Sequence, residues 1–206
     1  MQKRAAPLND YFLLNMNFVI RFLILSDVVL YGSLGLLGPI FAIFIVNFID
    51  GGNATVAGIA AAIYLVTKSI AQIPAATIID KIRGEKDDFW IMFLGTLIGS
   101  TLPLCYLLVH TPFSLYIVQF ILGLTIAFTF PSYMAIFTRH IDSHKEGTEW
   151  GVYFTLTDLC SAVAATIGGV LADTLGFSIL IFVVVITGIF GSLLLLPLRT
   201  QMWKET

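Results

Sequence analysis

Six long apolar stretches, separated by short polar connections, run along the chain at positions 18–48, 55–79, 89–109, 113–138, 150–172 and 177–197. None alternates with a period of two, so none reads as a strand of a transmembrane barrel. Each is long enough, at about 1.5 Å of rise per helical residue, to cross a hydrocarbon core of roughly 30 Å. The pattern predicts an all-α membrane protein with one six-helix transmembrane domain over 1–206 and no soluble domain or flexible linker. These stretches are called spans 1 to 6 below.

Composition agrees with this reading. Of 206 residues, 58% are hydrophobic and 12% charged, and the mean hydropathy is +0.93. A water-soluble globule could not cover that much apolar surface. Basic residues supply the topology. With a cytoplasmic amino terminus, Lys3, Arg4, Arg21, Lys81, Arg83, Lys86, Arg139, Lys145, Arg199 and Lys204 all fall on the cytoplasmic side, and the outer loops carry no Lys or Arg. Both termini are therefore expected in the cytoplasm of a multi-pass cell-membrane protein. Span 1 is too long for a signal-peptide core and no small-residue cleavage site follows it, so no removal is expected. Cys105 and Cys160 lie within spans, where packing rather than a disulfide is the default. The net charge of −2 points to no class of partner.

Among the charged residues, Asp27, Lys68 and Asp158 alone fall well inside apolar stretches, one each in spans 1, 2 and 5. Ionisable groups at that depth are costly and mark solute paths or mutual pairs. Internal similarity is the next layer. Gly58 and Gly151 open spans 2 and 5, and each precedes by 22 residues an acid, Asp80 or Asp173, an offset of 93 between copies. Pro39 and Pro131, each soon followed by Ala-Ile-Phe, share an offset of 92. Spans 1 to 3 thus correspond to spans 4 to 6. Three spans per copy place the copies in opposite orientations, a 3+3 inverted repeat of the kind that encloses a midplane site in transporters.

On these features the chain resembles one half of a major facilitator superfamily transporter, as a stand-alone chain. After span 2, the run from Ala76 to Lys86 is similar to the family's G-x-L-A-D-R-x-G-R-K loop, with the first Gly lost and the second shifted. At the end of span 5, Gly168 to Phe177 resembles G-G-x-L-A-D-x-x-G-W, and Glu146 to Gly151 resembles the connection between spans 4 and 5. Two family motifs are broken. Gln119 stands where members with the span 4 motif place an Arg linked to proton coupling, and the span 5 antiporter motif lacks its Pro over Ala164 to Gly169. Family members usually carry twelve spans as two halves, so the resemblance implies a parallel homodimer.

That resemblance assigns expectations to residues. Spans 2 and 5 are expected to join the halves and spans 1 and 4 to line the cavity. Lys68 lies roughly 18 Å above Asp80, and Asp158 roughly 12 Å above Trp150, a difference a Lys side chain spans. An intersubunit Lys68–Asp158 ion pair is the first reading; the alternatives are a pair within one subunit and separate substrate contacts. Tyr64, Lys68 and Gln72 form one interface stripe, and Asp158, Ala162, Ala165 and Gly169 a second, small-residue stripe. Asp27 is expected at the solute path, carrying a proton or contacting substrate with Tyr31 one turn above and Gln119 as its repeat counterpart. Gly32, Gly35 and Gly38 with Pro39 allow bending or close packing there. The plain alternative is an acid near the cytoplasmic end, solvated or paired with Arg21 six residues earlier.

For the loop after span 2 the resemblance implies a cytoplasmic latch of Asp80, Lys81 and Arg83 onto the span 5 end of the other half, with Arg139 and Glu149 available. Orientation alone is the simpler role. Asn53-Ala54-Thr55 matches a glycosylation acceptor but abuts a span and is expected to be silent. His110, His140 and His144 lack metal-site spacing. No nucleophile-base set, P-loop or nucleotide fingerprint occurs, so no enzyme, cofactor, metal or nucleic-acid partner is expected. The expected function is secondary active transport of a small solute by alternating access, with a sugar or other neutral polar solute preferred and proton coupling through Asp27. Lipid, solute and a second copy are the expected partners. The alternatives are a non-transporting structural or regulatory six-helix module, or a half that pairs with a different half-transporter.

Overall fold

The computed structural model describes residues 13–14, 16–82 and 84–202, and within them the secondary structure is helical. Six helical segments are long and apolar enough to cross a membrane: Phe18–Phe48, Ala54–Lys81, Lys86–Leu107, Pro112–His140, Glu146–Leu175 and Phe177–Met202. They coincide with the six expected spans. The ends run further where polar residues continue a helix beyond its apolar stretch. Span 5 starts at Glu146 rather than near Trp150, with Glu146 and Glu149 in its first turn, where acids favour the helix dipole.

Local chemistry explains the boundaries. Asn17 accepts from the Val19 amide at 2.9 Å and starts span 1. Asn53 accepts from the Val56 amide at 3.0 Å and caps span 2, so the residue of the glycosylation-like triplet serves as a helix cap. Thr111 and Ser114 form a capping box at span 4, with Pro112 in the first turn. Gly176, at φ +86°, separates spans 5 and 6. Span 1 is two helices, Phe18–Leu37 and Phe41–Phe48, joined by a 3-10 turn Gly38–Ile40 that contains Pro39. The expected bend lies there. Span 3 likewise ends in a 3-10 segment, Leu102–Leu107, containing Pro103.

Span 1 packs mainly against spans 5 and 6, span 4 mainly against spans 2 and 3, and spans 3 and 6 meet. Close approach needs glycine at two crossings. A Cβ on Gly123 would stand 2.7 Å from the Tyr64 carbonyl of span 2, and one on Gly35 would stand 2.8 Å from the Ser161 carbonyl of span 5. Buried apolar side chains form two clusters. One, at the end holding Phe18 and Met202, includes Leu23, Phe89, Ile136 and Phe137; the other, at the opposite end, includes Ile45, Leu115, Leu180 and Ile181.

Between these clusters lies a polar layer. Ser26 donates to the Gly191 carbonyl at 2.8 Å and Ser33 to the Val184 carbonyl at 2.7 Å, tying span 1 to span 6. Ser100 and Ser192 lie 3.2 Å apart, oxygen to oxygen, between spans 3 and 6. Such hydroxyl contacts hold membrane helices where apolar attraction between them is weak. Cys105 and Cys160 are free. Spans 2 and 5 bury the least of their surface.

Candidate functional site

A cavity of about 200 Å³ opens in the polar layer, lined by residues of spans 1, 2, 3, 4 and 6. Asp27 reaches it from span 1, with only 8% of its surface exposed. The Tyr153 hydroxyl donates to Asp27 Oδ2 at 2.9 Å. Tyr133, also buried, and Tyr31 neighbour the same carboxylate. Asp27 is therefore set among phenols rather than beside a cation. The alternative pairing with Arg21 is overturned: Arg21 donates instead to the Leu13 carbonyl at 2.9 Å and the Leu14 carbonyl at 3.1 Å. Six residues rotate a helix by about 240°, which turns the two side chains to different faces.

Lys68 reaches the same cavity from span 2, alongside Tyr64. Its ammonium stands 5.2 Å from the Phe130 ring centre, a cation–π geometry. The close crossing at Gly123 sets this placement, because the Lys68 backbone lies against that glycine. Asp158 is exposed on span 5. Among the described residues no ion pair joins Lys68 to Asp158 within the chain, so the intrasubunit alternative is corrected.

The Ser and Thr hydroxyls of the cavity are engaged, whereas the buried Tyr133 hydroxyl has no hydrogen-bond partner among the described residues. Thr96 donates to the Phe93 carbonyl at 2.9 Å, Ser100 to Thr96 at 2.7 Å and Thr129 to Thr125 at 2.8 Å. Gln119 is not among the lining residues. It is buried and donates to the Tyr106 hydroxyl at 3.0 Å, beside the second apolar cluster. The structure thus brings Asp27, Tyr31, Tyr64 and Lys68 together and leaves Gln119 apart.

The remaining expected residues lie elsewhere. Gln72 and Asp80 line a groove of about 480 Å³ between spans 2 and 4 with Pro131 and Arg139. Ala162 is exposed and Ala165 half-buried on span 5. Asp80 and Lys81 are exposed at the end of span 2, and Arg83 lies outside the described residues. Arg139 bonds Asp88 at 2.6 Å and Glu85 at 3.3 Å, with His140 3.6 Å from Glu85. Glu149 is buried and accepts from the Asp142 amide at 3.4 Å. Arg139 and Glu149 therefore fasten the connections of their own chain, where the latch expectation had them available to another half.

Nothing in the sequence singles out Tyr133 and Tyr153. Tyrosines are common in spans, and the signal that points to them is a phenol on a helix that packs beside Asp27. Among the described residues, no group of three His, Cys, Asp or Glu is placed to hold a metal ion. In comparisons with known proteins, the family model of the Major Facilitator Superfamily matches residues 23–204. No curated protein matches the chain.

Proposed function

Since the chain belongs to the Major Facilitator Superfamily, a family of membrane transporters, we propose that it is a secondary active transporter of a small solute working by alternating access. The observation that carries this reading is the cavity, where Asp27 and Lys68 converge at mid-depth between two apolar clusters. Ionisable groups at such depth are costly, and a cavity that gathers two of them marks a solute path.

The six spans are read as a 3+3 inverted repeat with both termini cytoplasmic. Packing supports it: exchanging spans 1, 2, 3 for 4, 5, 6 turns the contact of spans 1 and 5 into that of 4 and 2, and of 1 and 6 into that of 4 and 3. Residue-level contacts follow the same exchange. Gly123 meets Thr67 and Lys68, and at offsets of 92 and 93 their counterparts are Tyr31, Cys160 and Ser161; the Ser161 hydroxyl donates to the Tyr31 carbonyl at 3.2 Å. Ser100 and Ser192, themselves 92 apart, meet each other, as residues near a two-fold axis do.

A second copy is read as covering spans 2 and 5. Asp158 supports this, because an exposed carboxylate inside a span needs a polar covering that lipid does not offer. In this reading Lys68 serves the cavity and Asp158 the subunit face. Asp27 carries the coupling proton, since Tyr153 and its phenolic neighbours can hold the carboxyl in either protonation state. The test is uptake of a broad solute panel into liposomes holding the purified chain, with and without a pH gradient, for the unmodified chain and Asp27→Asn. Transport is expected, with gradient stimulation lost in Asp27→Asn. Stimulation that survives removes Asp27 as the coupling site; no transport of any solute favours the non-transporting module.

A further inference from the structure

The cavity has an uneven supply of hydrogen-bonding groups. Its Ser and Thr hydroxyls donate to backbone carbonyls, and Asp27 is met by Tyr153. The Lys68 ammonium is different. Among the described residues it makes no ion pair, and it rests over the Phe130 ring. Three phenols also line the cavity, Tyr31 and Tyr133 near Asp27 and Tyr64 on the helix of Lys68; they can serve a neutral or a charged solute alike, so the choice between the two falls to Lys68. Lys68 shares the cavity with Asp27, whose carboxyl is neutral while it carries the coupling proton of the transporter reading; a cation with no bonded anion at that depth is costly until one meets it.

We propose that the cavity binds a small organic monoanion, its charged group on the Lys68 ammonium and its aromatic or branched body against Leu30, Leu34, Leu122, Ile126 and Phe130. The proposal names the substrate class for the transporter reading above and rests on that reading for the cavity's role. It replaces the neutral polar solute that the sequence suggests. Size narrows the ligand further. An apolar cavity of about 150 Å³ holds benzene, so about 200 Å³ suits roughly eight to ten non-hydrogen atoms. Tyr64, also lining the cavity, offers a phenol to the same anionic group.

The experiment pairs binding with transport. The purified chain in detergent is titrated calorimetrically with benzenesulfonate, its neutral isostere benzenesulfonamide, benzylammonium and glucose, and liposomes holding it are assayed for uptake of the same panel. Benzenesulfonate is expected to bind at least about tenfold more tightly than the sulfonamide, since charge-assisted hydrogen bonds are roughly twice as strong as neutral ones. Lys68→Gln should weaken benzenesulfonate by about ten- to a hundredfold and leave the sulfonamide unchanged, whereas Lys68→Arg keeps the preference. Equal affinity for sulfonate and sulfonamide, or tighter binding of benzylammonium or glucose, overturns the proposal. If Lys68→Gln does not fold, the ligand charge series on the unmodified chain decides alone. Benzenesulfonate binding without uptake of any solute keeps the anion site and overturns the transporter reading. Uptake of glucose or benzylammonium without benzenesulfonate binding does the reverse, and neither binding nor uptake overturns both.

Discussion

Removing the Tyr153 hydroxyl would leave Asp27 Oδ2 without the donor that meets it at 2.9 Å. Tyr153→Phe keeps the ring packing and should cost about 1 kcal/mol of stability, in the range measured for hydrogen bonds between membrane helices. Thermal unfolding in detergent checks this, and the same variant should blunt gradient-stimulated uptake. Asp27 and Lys68 were legible in the sequence because a charge inside an apolar stretch is conspicuous. Their shared cavity was not. The face a helix turns inward depends on its neighbour, and Lys68 faces the cavity because Gly123 lets span 4 come close at that point. Gln119 shows the converse: the offset of 92 suggests it as Asp27's counterpart at inverted depth on a cavity helix, but the Tyr106 hydroxyl gives its amide a buried partner away from the cavity.

Helix pairs are held by different means at different depths, which makes element-scale substitutions diagnostic. Gly123→Val would drive a side chain into the span 2 backbone and should destabilise by about 1–3 kcal/mol, the usual cost of overpacking. Gly151→Ala, on a helix face with open space around it, should be neutral or stabilise by up to about 1 kcal/mol. Melting curves for the two variants should move in opposite directions, or the second not at all. At the end holding Phe18, Asp88 is 1% exposed and depends on Arg139. Arg139→Gln should cost about 1–3 kcal/mol, because buried Asp88 loses its donor while the half-exposed Arg139 side leaves the pair partly screened, and adding Asp88→Asn should restore much of it. A double-mutant cycle on unfolding midpoints reads the coupling. The spans themselves were legible from length and apolarity, whereas their pairing rests on contacts between distant residues that one sequence does not display.

For the whole molecule, the reading of a parallel homodimer makes a geometric prediction. Leu65 is 11 residues from Ala54 at the start of span 2, and Ala162 is 13 residues from Leu175 at the end of span 5, so the two exposed positions lie at similar depth. Cysteines at these positions should crosslink between chains purified without any other protein. Particles of one chain's mass and crosslinks absent throughout would end the homodimer and favour a different half as partner. Span lengths carry one more consequence. Spans 2, 4 and 5 have 28, 29 and 30 residues, while span 3 has 22. Helices of about 42–45 Å cannot stand upright within a hydrocarbon thickness of about 30 Å without projecting from it, whereas span 3 nearly matches it. The long helices must lean or protrude, and any change in their lean alters how lipid meets them. Acyl-chain length thus becomes a control on turnover: uptake in liposomes of graded phosphatidylcholines should pass through a maximum at one bilayer thickness and fall on both sides of it.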